Sequence, residues 1–168
     1  MNMSVIVHSE ALRPRWRTIV LTVLAFWLGA SLLLDLVIMP MLSAAGMLTE
    51  PGFAAAGYSI FWVFNHLELF MAALVLTGML ILRTVPSQFQ HRWAIPAAVA
   101  LLAIVCAYTY GLTPEMSALG LQLNWFESTP AFSGAMVQMQ GVYWFLEVCK
   151  LAIGVTLLRW CYPSVTES

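Results

Sequence analysis

Four of the chain's fifteen charged residues, Asp35, Glu68, Glu147 and Lys150, stand inside apolar runs long enough to cross a membrane. A charge at the centre of a bilayer costs at least about 2.5–3.5 kcal/mol, so such a residue tends to be paired, neutralised or used. The chemistry open to three carboxyls and one amine is the binding of a proton, a cation or a small polar ligand. Fully ionised, the four carry a charge of −2, which a low-dielectric interior resists. A proton on a carboxyl, a bound cation or a partner's positive charge would relieve it. Glu147 and Lys150 are three residues apart with the acid first, the favourable order for a pair on one helix. That pairing leaves Asp35 and Glu68 as the carboxyls expected to need a proton.

Helical phase groups the neighbours. Gln140, Tyr143, Glu147, Lys150 and Gly154 recur at spacings of three and four and form one stripe, which is expected to face the bundle interior. Asn65, Glu68 and Ala72 share a face. His66 is turned about 100° from Asn65 and about 200° from Glu68, so it cannot join Glu68 in one tight site. Ser31 and Asp35 share a face of the first run. The expected ligand or proton site is therefore Asp35, Glu68, Glu147 and Lys150, with Asn65 and Tyr143 beside them. A plainer reading stands next to it: polar side chains in membrane helices also hold helices together, at about 1 kcal/mol per hydrogen bond. His66 is expected to do this by bonding to a neighbouring helix.

Metal and haem chemistry find less support. The apolar runs offer one histidine, His66, which excludes a single-chain bis-His haem. Six of the ten methionines fall toward one side of the threading below: Met39, Met41, Met47, Met116, Met136 and Met139. Thioethers suit Cu(I), and with His66 the pair Met39 and Met116 are the candidate soft-metal ligands; methionine is equally ordinary filler between apolar surfaces. Cys106, Cys149 and Cys161 form no CxxC pair. No nucleophile elbow, phosphate loop or HExxH motif is present. The sequence requires no cofactor.

The elements that must position these residues are long helices. The 168-residue chain is 61% hydrophobic and 9% charged, against about 45–50% and about 25% for soluble domains. Mean hydropathy is +0.85. The excess falls into four blocks of about twenty residues or more, enough to cross ~30 Å of hydrocarbon: Thr18–Leu42, Tyr58–Leu82, Trp93–Leu112 and Met136–Trp160. Short connectors leave a single membrane domain over 1–168. The net charge of −1 argues against nucleic acid as a partner. Arg13, Arg15 and Arg17 before the first block resemble a signal peptide's start, but the apolar run outlasts an h-region of about 7–15 residues, so an uncleaved first span is expected, with cleavage after Ala30 the alternative.

All six arginines fall on one side of this threading: Arg13, Arg15 and Arg17 before the first span, Arg83 and Arg92 around the second loop, and Arg159 at the end of the fourth. The other loops hold only Glu50, Glu115 and Glu127. The positive-inside rule puts both termini in the cytoplasm. Trp16, Trp93, Trp125, Trp160 and Tyr162 sit near span ends, where aromatic side chains anchor. Thr49-Glu50-Pro51 and Thr113-Pro114-Glu115 read as helix starts, so the outer loops are expected to contain short interfacial helices. Pro40 and Pro96 are tolerable near span ends and are expected to bend them.

Three segments carry a family resemblance: the first span running into Met39-Pro40-Met41, the Thr113-Pro114-Glu115-Met116 segment after a Tyr-rich third span, and the stretch from Tyr143 to Leu151. Together they resemble the small four-helix membrane proteins grouped as domain of unknown function 4149, which includes proteins similar to human transmembrane protein 205. The resemblance covers about residues 16–160 and its motifs are short and apolar. It departs where bacterial members often carry a basic residue after the Thr-Pro pair and a histidine early in the fourth span; here Glu115 and Gln138 or Gln140 stand. The resemblance implies an integral membrane protein without an established activity. The eukaryotic branch's association with metal-drug tolerance adds to the soft-metal idea by analogy only.

The sequence thus predicts an all-α integral membrane bundle of four helices, in a bacterial inner (or thylakoid-type) membrane. The first functional expectation is a small carrier or accessory module binding a proton, cation or small polar ligand between its helices. The alternatives are a non-catalytic subunit or assembly factor whose buried charges meet a membrane-protein partner or a second copy, and a membrane enzyme acting on a lipid-soluble substrate.

Overall fold

The computed structural model describes residues 3–47, 53–84, 92–118 and 134–162, and nearly all of them are helical. Helix α1 (Met3–Leu33) passes through a π-helical turn, Leu34–Ile38, into α2 (Met39–Ala44). Helix α3 spans Phe53–Thr84. Helix α4 (Ala94–Ala107) passes through a second π-helical turn, Tyr108–Leu112, into α5, residues 113–118. Helix α6 spans Gly134–Cys161. No strand occurs among the described residues. Among the described residues, four segments are long and apolar enough to cross a membrane: Arg15–Leu42, Ala55–Thr84, Ala94–Ala118 and Val137–Cys161.

The two π turns share one cause. Each is followed by a single residue, Met39 or Thr113, and then by Pro40 or Pro114. A proline has no N–H to donate, and its ring meets the carbonyl four residues back. Widening the preceding turn moves the donors by one residue: Met39 N–H bonds to the Leu34 carbonyl, and Thr113 N–H to that of Tyr108. Both residues keep right-handed helical backbone angles, so the helix continues past its proline.

This corrects one expectation. Thr113 does not start a helix; it lies inside one, and the third segment runs six residues beyond Leu112 to Ala118. Helices α2 and α5 are continuations of the long segments and not separate interfacial helices. The expected start at Thr49-Glu50-Pro51 lies outside the described residues, as does Trp125.

The helices are antiparallel neighbours in a ring: α1 packs on α3 and α6, and α4 packs on α3 and α6. The register is visible in side-chain contacts. Arg17 Nε donates to the Cys161 carbonyl at 2.6 Å, satisfying a carbonyl at the end of α6, while further along α1 Asp35 meets Tyr143. Close approach depends on two glycines. A Cβ on Gly78 would collide with Val20 of α1, and one on Gly154 would lie 2.7 Å from the end of the Leu28 side chain.

Arg15, Arg17, Arg83, Arg92 and Arg159 mark one end of the bundle, and Pro40 and Pro114 the other. The apolar core occupies the arginine half: Val20, Leu24, Val75, Met79, Ala98, Leu101 and Leu157 are buried together. Toward mid-depth and the proline half the buried residues turn polar: Ser31, Asp35, Asn65, Glu68, Thr109, Glu147 and Lys150. The outer surface is the reverse, with Phe26, Leu36, Phe70, Phe145, Val148 and Val155 exposed.

Candidate functional site

Lys150 of α6 is 2% exposed and crosses the bundle interior to Glu68 of α3, with Nζ 2.6 Å from Glu68 Oε1. The same Nζ lies 2.7 Å from Glu147 Oε2 on its own helix. Glu68 Oε1 accepts two more hydrogen bonds, both from α1: Trp27 Nε1 at 2.8 Å and Ser31 Oγ at 2.9 Å. Three helices therefore meet on one carboxylate oxygen, and every donor on it is buried. A bare carboxylate in such an interior would be very costly; a cation and two further donors offset that.

The second carboxyl layer lies toward the prolines. Tyr143 of α6 donates its hydroxyl to Asp35 Oδ1 at 2.8 Å, and Tyr108 donates toward Glu147 Oε2 at 3.2 Å. The two tyrosine rings lie 5.1 Å apart between centroids, tilted by 40°, and Lys150 Nζ lies 5.3 Å from the Tyr108 ring centre. Asp35 and Tyr108 both sit in the π turns. The widened turns that absorb Pro40 and Pro114 therefore also carry two of the polar side chains. The Asp35 and Glu147 carboxyls are within hydrogen-bonding range of one another. Yet one oxygen of each, Asp35 Oδ2 and Glu147 Oε1, is buried with no donor.

The pairing expected from spacing alone is incomplete. Lys150 does hold Glu147, but it holds Glu68 as well, so Glu68 is not a carboxyl left without a counter-charge. The unmet need falls on Asp35 and on the second oxygen of Glu147. Trp27 and Tyr108 are site residues that the polar stripe did not reveal. Trp27 stands four residues before Ser31 and eight before Asp35, on their face, and a buried indole N–H needs an acceptor; that was the available signal.

Asn65 and His66 lie elsewhere. Asn65 Nδ2 donates to Thr113 Oγ1 at 2.6 Å, one turn from Glu68 on the same helix face. His66 Nδ1 is 2.7 Å from the Trp62 carbonyl, and its ring lies 4.2 Å from that of Trp62. The carbonyl can only accept, so Nδ1 is the protonated nitrogen. His66 thus bonds back to its own helix and not to a neighbour. Both residues line a cleft of about 140 Å³ with Tyr58, Trp62, Thr109, Tyr110, Thr113 and Pro114. Met39 and Met116 are half-buried and outside that lining, so the three candidate soft-metal ligands are not gathered at the cleft. Among the described residues no group of three or more His, Cys, Asp or Glu is placed to hold a metal ion.

What the arrangement offers chemically is charge and proton exchange. It combines three carboxyls, one ammonium, two phenols, a hydroxyl and an indole N–H in a single buried network. Compared with protein-family models, with curated proteins and with solved structures, the chain has no match.

Proposed function

We propose that the chain is a multi-pass membrane protein that binds a proton or small cation in its interior, as a small carrier or as the ion-binding module of a larger assembly. The observation that carries this reading is the convergence of Asp35, Glu68, Glu147 and Lys150, from three helices of one chain, behind an apolar exterior. Charges awaiting a partner's charges would be expected on the outer surface; these are gathered inside the bundle, which favours the carrier reading over the subunit one. The resemblance to domain of unknown function 4149 is compatible with it and adds no activity.

In this reading the arginine end faces the cytoplasm, since Lys and Arg are retained there. The polar layer then lies at mid-bilayer, and the cleft beside Asn65 opens toward the outside, one turn from Glu68. Liposomes enclosing a pH-indicator dye, with the membrane potential clamped, test the reading. Uptake of protons through the wild-type chain, lost in Asp35→Asn, is expected. A dye response no faster than in protein-free liposomes, at any imposed gradient of pH or sodium, would overturn the carrier form.

A further inference from the structure

We infer that Asp35 and Glu147 form a carboxyl–carboxylate pair that binds one proton, shared between Asp35 Oδ2 and Glu147 Oε1. This rests on the reading above for its membrane setting and deepens it, because it names the ligand and the atoms that hold it.

The two carboxyls are within hydrogen-bonding range. Asp35 Oδ1 is taken by Tyr143, and Glu147 Oε2 by Lys150 and Tyr108. The remaining two oxygens are both buried and both lack a donor. Two carboxylate oxygens are acceptors only and repel each other. One proton turns one of them into a donor and satisfies both at once.

Other occupants fit less well. A hard cation takes about six oxygen ligands, and only two orphan oxygens are on offer. The cleft is lined by other residues and contains neither carboxyl.

Charge points the same way. The titratable and charged groups around the pair are Glu68 on α3, Tyr108 on the turn after α4, and Tyr143 and Lys150 on α6. With Asp35 and Glu147 both ionised the network stands at −2; one shared proton brings it to −1. The remaining anion is spread over carboxylates that already receive hydrogen bonds from Trp27, Ser31, Tyr108, Tyr143 and Lys150. Tyr108 has one hydroxyl proton and two acceptors in reach, Glu147 Oε2 at 3.2 Å and the Tyr143 carbonyl at 3.3 Å. It can therefore loosen its hold on Glu147 when the proton arrives.

Infrared spectroscopy of the full-length protein in lipid vesicles, in H2O and in D2O, tests this. At neutral pH the wild type is expected to show a protonated-carboxyl C=O stretch that shifts in D2O. The band should be lost in Asp35→Asn and in Glu147→Gln, and kept in Glu115→Gln, an exposed carboxyl outside the network. Asp35→Asn supplies an amide N–H where the shared proton was, at the same net charge. It is therefore expected to match the wild type by circular dichroism, so that loss of the band is not loss of the fold. Absence of the band in the wild type, or its persistence in both Asp35→Asn and Glu147→Gln, would overturn the assignment. Absence of the band together with a thermal midpoint that rises with sodium chloride would overturn the proton and leave the cation form of the carrier reading standing. The expected band with no flux in liposomes would support the proton pair and overturn the carrier.

Discussion

At the arginine end of the bundle, Val20, Leu24, Val75, Met79, Ala98, Leu101 and Leu157 fill the interior with side chains that carry no hydrogen-bonding group. From mid-depth toward the proline end, Ser31, Asp35, Glu68, Tyr108, Glu147 and Lys150 hold equally buried positions. The first half is specified by volume: Gly78 must be small because Val20 occupies the space beside it. The second half is specified by partners: Glu68 is tolerable because Trp27, Ser31 and Lys150 all reach one of its oxygens. The helices differ in step with this. They are regular α where packing is apolar, and they widen into π turns where Asp35 and Tyr108 are presented. The apolar half is packed tightly around its glycines, and the polar half carries the buried charges beside the widened turns.

The contrast can be broken from either side. Lys150→Met should have the largest effect, because it leaves Glu68 and Glu147 buried without their cation. Removing one partner of a buried pair costs about 3–5 kcal/mol, which should appear as loss of folded protein in denaturant titrations followed by tryptophan fluorescence. In the apolar half, Gly78→Ala adds one methyl group against the stiff Val20 side chain and should cost about 1–3 kcal/mol. Gly154→Ala, made in the same titration, should cost less, since the atom it meets is the free end of Leu28. Ser31→Ala should be the mildest of the set, about 1 kcal/mol, because Glu68 Oε1 keeps two of its three donors. A Ser31→Ala cost as large as that of Lys150→Met would mean that the hydroxyl, and not the ammonium, holds the network.

Much of the frame was legible in the residues. Runs of about twenty apolar residues have few other uses, so the four segments were placed to within a few residues of their ends, except where the third ran on. That exception is instructive. Thr113-Pro114-Glu115 has the residue types of a helix start, and local chemistry does not distinguish a proline that begins a helix from one absorbed by the turn before it. The stripe Tyr143, Glu147 and Lys150 was readable from phase, as was the separation of His66 from Glu68. The partners were not. Phase on one helix cannot say that Lys150 reaches across the bundle to Glu68, or that His66 folds back to the carbonyl of Trp62. Trp27 was hidden for a different reason: among apolar neighbours an indole counts as hydrophobic until its N–H is followed to an acceptor.

Lys150 joins the carboxyls of one chain across the bundle, at Glu68. A double-mutant cycle on Glu68→Gln and Lys150→Met, read from denaturant unfolding in lipid–detergent micelles, tests it most directly. The double variant is expected to be more stable than the sum of the single losses allows, with a coupling of about 1–3 kcal/mol. Additive losses would contradict it, since two residues that do not touch lose stability independently.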